Sequence, residues 1–162
     1  MVTGAVVVLL SASGVGIAAL VQHTGTPASD IGTARATSPA SSSANDAAWA
    51  STVSTDATGL GTDFTAVADD ASAENEAAAS ADCQTVLNDI ASFQTDITPI
   101  PPDYATAGAT LVRALQTYTE GCTNFMSGIA DQNVSEIDTA GAEIVTGTGL
   151  LEQVQAEIAA EA

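Results

Sequence analysis

The chain of 162 residues carries twenty acidic side chains against two basic ones, Arg35 and Arg113, for a formal charge of -18. Such a balance supplies almost no cations to displace counterions, so nucleic acid and anionic lipid surfaces are excluded as partners, and the acid is expected to keep an exported surface soluble. Apolar residues make up 46% of the chain, but much of this is alanine and only 4% is aromatic, which favours close-packed helices over a sheet sandwich.

Residues 4–21, GAVVVLLSASGVGIAALV, are uncharged and mostly apolar, the pattern of a signal-peptide core or a short membrane span. No basic residue precedes them, which departs from the usual export signal. Cleavage after Ala28 fits the small residues Thr26 and Ala28, and the LSAS at 10–13 holds serine where a lipidated cysteine would have to stand. Residues 1–28 are therefore read as a signal peptide or membrane anchor, and any membrane contact is expected only through 4–21 if that segment is retained. Residues 29–44, rich in Ser, Thr and Ala, show no apolar period and are read as a flexible linker.

From Asn45 the period becomes helical. Trp49, Val53, Ala57, Leu60, Phe64, Val67 and Ala71 recur at three- and four-residue steps, followed by Cys83, Val86, Leu87, Ile90, Phe93 and Ile97. The prolines of TPIPPD at 98–103 stop one helix and open the next. Tyr104, Leu111, Leu115, Tyr118, Cys122, Phe125 and Ile129 form a third stripe, and Ile137, Ile144, Leu151 and Ile158 a fourth. The expected architecture is all-α, with helices near 45–69, 72–97, 103–130 and 134–160 forming an antiparallel four-helix bundle over residues 45–162. Ser72 is expected to cap the second helix, and Asn133 with Glu136 to form a capping box on the fourth. The break at DDAS is the weakest; without it the first two helices would merge into a rod that pairs with another copy.

Cys83 and Cys122 lie on apolar stripes either side of the proline turn. Their offsets from that turn differ by about 7.5 Å of helix rise, which the long turn can absorb. One interhelical disulfide is expected, closing a loop of about 39 residues and contributing roughly 3–4 kcal/mol in the chain-entropy model. A zinc or iron centre would want more ligands than one histidine, His23, can add, and no close Cys pair or neighbouring cation marks a redox switch.

Acids recur at heptad spacing beside the stripes: Asp56, Asp63 and Asp70; Asp82, Asp89 and Asp96; Glu136, Glu143 and Glu157. They are expected to line the seams between helices, either as a solvated flank or as sites for hard cations; no metal is assigned, because no Asp-x-Asp-x-Asp-Gly loop is present. The helical region has no histidine to act as base and no Glu-x-x-His pair, so the chain is read as non-enzymatic and without cofactor. GTGL at 147–150 is read as a close helix contact. On the third helix, Thr106, Thr110, Gln116, Thr119 and Asn124 are expected to face outward as a nearly uncharged partner surface.

The order Trp49, DCQTVLNDI, PIPPD, TEGCTNFMSGIADQN and GTGLLEQVQAEI resembles a layout in exported actinobacterial two-cysteine helical-bundle proteins of unknown function. The resemblance covers roughly residues 45 to 160 and implies an apolar N-terminal segment, a tether and a helical domain, with no activity or site residues to carry over. Together these readings give an extracytoplasmic, secreted or membrane-tethered bundle that serves as an interaction or accessory module of the cell envelope. The alternative is an extracellular protein that binds divalent cations or cationic ligands along its acidic seams.

Overall fold

The structure, a computed structural model, describes residues 40–161. The readings of residues 1–28 as signal or anchor, and of residues 29–39 as tether, lie outside the described residues. Four helices follow in chain order: α1 Ala40–Ser72, α2 Glu76–Asp96, α3 Ala105–Asp131 and α4 Val134–Glu161, with a single 3-10 turn at Pro102–Tyr104 leading into α3. The described chain is an all-helical bundle. α1 begins at Ala40, inside the stretch expected to be tether, and DDAS ends it without fusing it to α2.

Two of the connections use the same device. After α1, Glu74 takes a left-handed conformation (φ 57°), and the Asn75 N–H donates back to the Asp70 carbonyl at 2.9 Å. After α3, Gln132 does the same (φ 54°), and the Asn133 N–H donates to the Gly128 carbonyl at 2.8 Å. Both are Schellman-type stops, in which a residue past the helix end reverses the chain and satisfies orphan carbonyls. The following asparagine then serves the next helix. Asn75 accepts the Ala78 N–H on its Oδ1 at 3.4 Å, so Asn75 caps α2 and not Ser72, which is the last residue of α1. Asn133 and Glu136 do meet, but side chain to side chain, Asn133 Nδ2 donating to Glu136 Oε2 at 3.3 Å.

The connection from α2 to α3 is made differently. The Ile97 N–H closes α2 on the Phe93 carbonyl, and Pro102 opens the first turn of the next helical segment, where its missing N–H has no partner to lose. Trp49, near the other end of the α1–α2 pair, reaches this connection. Its indole N–H donates to the Ile97 carbonyl at 2.9 Å and its ring stacks on Tyr104 with centroids 5.2 Å apart.

α3 is the most buried helix, with Ala107, Leu111, Ala114, Leu115, Tyr118, Cys122 and Phe125 inside. α3 and α4 share the most extensive interface; α1 packs on α2, α2 on α3, and α1 touches α4 only sparingly. Glycine allows the α3–α4 approach. A Cβ on Gly147 would stand 2.8 Å from the Tyr118 ring, and one on Gly128 would stand 2.7 Å from Ile137, both inside contact distance. The GTGL stretch is thus a close helix contact through Gly147, while Gly149 faces open space. From α1 the Phe64 ring reaches Tyr118 at 4.5 Å, joining the first helix to the α3–α4 pair.

Candidate functional site

The heptad acids of α1 and α2 face each other. Asp89 stands near enough to Asp63, Asp70 to Asp82 and Asp96 to Asp56 for each to raise its neighbour's pKa. Along each helix these acids are seven residues apart, about 10 Å of helical rise, so the pairs are spaced as a ladder. Burial, the partner carboxyl and the charges of Asp89 and Asp82 raise the Asp63 pKa above the usual aspartate value. Asp82 is raised by desolvation and by Asp70, and Asp56 by desolvation and Asp96. Asp56 Oδ2 is buried and has no hydrogen-bond partner.

The glutamates of α4 do not join this ladder. Glu136 accepts from Asn133, Glu143 from Asn124 Nδ2 at 2.8 Å, and Glu157 Oε1 from Gln153 at 2.7 Å, while Glu157 Oε2 is buried without a partner. Among the described residues no three His, Cys, Asp or Glu side chains converge as they would around a metal ion. The ladder therefore offers carboxyl groups in twos, and a cation seated there would fill most of its coordination with water.

Cys83 and Cys122 are brought together at the α2–α3 interface, both fully buried, but they are free thiols. The expected disulfide is absent from the structure; what the fold supplies is the proximity. The neighbouring Cys83 thiol, with burial, pushes the Cys122 pKa upward.

The five outward positions expected on α3 divide. Thr110 is only 5% exposed and belongs to the packing, one of the buried residues of α3 beside Leu111. Asn124 is half-buried and committed to Glu143, and Thr106 is exposed. Gln116 and Thr119 line an open groove of about 650 Å³ between α2 and α3, whose other walls are Leu87, Ile90, Ala91, Gln94 and Glu120. The α2 wall went unread because Leu87 and Ile90 both count as core by periodicity; Leu87 is in fact only half-buried. Gln94 beside it, exposed one turn from Ile90, is the signal that this face of α2 meets solvent.

Comparison with family models, with curated proteins and with solved structures gives no match.

Proposed function

We propose that the protein is a non-enzymatic, extracytoplasmic four-helix bundle, antiparallel in arrangement, that acts as an interaction or accessory module of the cell envelope. The observation that carries this reading is the α2–α3 groove. On a chain of charge -18, the groove has one charged wall residue, Glu120, beside Leu87, Gln94, Gln116 and Thr119. Protein interfaces are depleted of charge at their centres in the same way. The partner that fits is an envelope protein segment that fills the half-apolar floor and hydrogen-bonds the amide rim. Gln116→Arg with Glu120→Lys, both exposed, should abolish recovery of that partner in envelope pull-downs without lowering the melting temperature; unchanged recovery refutes the groove as the contact.

Export also gives the buried thiols a second state. In an oxidising compartment a disulfide-donating oxidase would accept two electrons and two protons from Cys83 and Cys122, leaving an S–S bond between α2 and α3 and a dithiol on the donor. That bond is the interhelical staple of the mature protein in this reading.

A second reading, a binder of divalent cations or cationic ligands, is favoured by the facing carboxyl pairs and by the unpartnered oxygen of Asp56. It requires calcium or magnesium to raise the melting temperature more than sodium chloride does at matched ionic strength. Equal shifts remove it.

A further inference from the structure

Cys83 and Cys122 are each 0% exposed, and so are Ala79 and Val86, the residues one turn to either side of Cys83 on its helix face. On α3 the corresponding neighbours of Cys122, Tyr118 and Phe125, are buried as well. α4 packs close beside Cys122, where a Cβ on Gly121 would stand 3.0 Å from Ile144. The α2–α3 groove comes within a turn of the pair on both helices, for its walls include Leu87, four residues from Cys83, and Thr119, three from Cys122. Two residues one turn from the cysteines thus share a groove, which sets the cysteines at one level of the α2–α3 interface. Neither cysteine is among the groove's walls.

Oxidising such a pair has a steric requirement as well as a chemical one. The thiolate of one cysteine attacks the disulfide of a donor, forming a mixed disulfide and expelling one donor sulfur as a thiol. The second cysteine then attacks the mixed disulfide, which closes the Cys83–Cys122 bond and expels the other donor sulfur. The pair loses two electrons and two protons, and the donor gains them as its dithiol. The first step needs a donor seated against a cysteine sulfur, with room for the mixed disulfide. In an interior packed as densely as a protein core, a sulfur with no exposed surface offers neither. The neighbouring Cys83 thiol and burial also raise the Cys122 pKa, which withholds the attacking thiolate.

Resting on the reading that this pair is the staple of the exported protein, we propose that Cys83 and Cys122 are a folding-gated pair: the bond is made while α2 and α3 are still apart, and closure of the bundle fixes whichever redox state the pair then holds. A chain that folds reduced stays reduced until it unfolds, even where disulfide donors are plentiful. A chain that closes with the bond in place shields it from reductant by the same packing. The consequence for export is that the chain has to cross unfolded to acquire its staple.

The test exposes the reduced full chain to oxidised glutathione, a small disulfide donor, at one pH in two states: folded, and unfolded in urea. Samples are quenched over time, denatured and alkylated, and intact mass separates the open dithiol, the glutathione adduct and the closed Cys83–Cys122 bond. The unfolded chain should close the bond at least tenfold faster than the folded chain. Urea below the unfolding transition should speed the folded chain in step with its population of open molecules. Val86→Ala, which removes packing beside Cys83, should fall on the same line of oxidation rate against stability, and so should Leu87→Ala, which widens the groove. Equal rates in the folded and unfolded states overturn the gate while leaving the staple reading intact. A Leu87→Ala rate well above the line also overturns it, because the donor would then enter through the groove without unfolding. Failure of the bond to form in either state overturns the gate and the staple reading together.

Discussion

The indole N–H of Trp49 donates to the carbonyl of Ile97 across 48 positions of sequence, 2.9 Å away and buried. This one bond ties the early turns of α1 to the end of α2, and the stack on Tyr104 ties both to the start of α3. Trp49→Phe keeps an aromatic ring for Tyr104 but leaves the Ile97 carbonyl without that donor. We expect a loss of about 1–2 kcal/mol, the cost of removing one partner of a buried hydrogen bond, measured by urea denaturation followed by circular dichroism. A loss no larger than that at an exposed position would show that the bond does not hold the helices together.

Glu74 and Gln132 occupy left-handed conformations that side chains other than glycine adopt at a cost. Both are exposed, so replacement loses no packing. Gln132→Gly should raise stability by up to about 1 kcal/mol, and Gln132→Val should lower it, because a β-branched residue resists positive φ most. The pair of melting temperatures, read together, checks the turn geometry.

Tyr118 is buried against Phe64 and Gly147, and its hydroxyl donates to Thr148 Oγ1 at 3.1 Å. Burial pushes its pKa from 10.0 up to about 12, with Glu152 adding to the rise and the Thr148 hydrogen bond opposing it. A folded value above the unfolded one means that the stabilisation is complete below pH 10 and is lost as pH approaches 12. Tyr118→Phe should cost about 1 kcal/mol at neutral pH through the lost hydrogen bond. It should also flatten the decline in stability over that alkaline interval, measured as urea midpoint against pH.

The sequence carried the helices and much of the seam, and the reasons are local. Heptad spacing of Asp56, Asp63 and Asp70 against Asp82, Asp89 and Asp96 is visible along the chain, and facing helices convert it into rungs once the register is set. The turns were less legible because glycine, the usual mark of a left-handed helix stop, is replaced by Glu74 and Gln132. Thr110 looks like a surface residue by type, yet it is buried with the core residues of α3. Leu87 misleads in the other direction, since an apolar residue on a core stripe can still form the floor of an open groove. The cysteine pair shows the limit most clearly: stripe positions foretold that Cys83 and Cys122 would meet, while their oxidation state depends on where the protein resides.

The measurement that tests the exported-bundle reading most directly is the intact mass of the protein recovered from its native host, fractionated by compartment and alkylated before and after reduction. The account predicts recovery outside the cytoplasm, with two alkylation sites that open only after reduction, because the Cys83–Cys122 pair has been oxidised there. Recovery from the cytoplasm, with both thiols alkylated on denaturation alone, would contradict it.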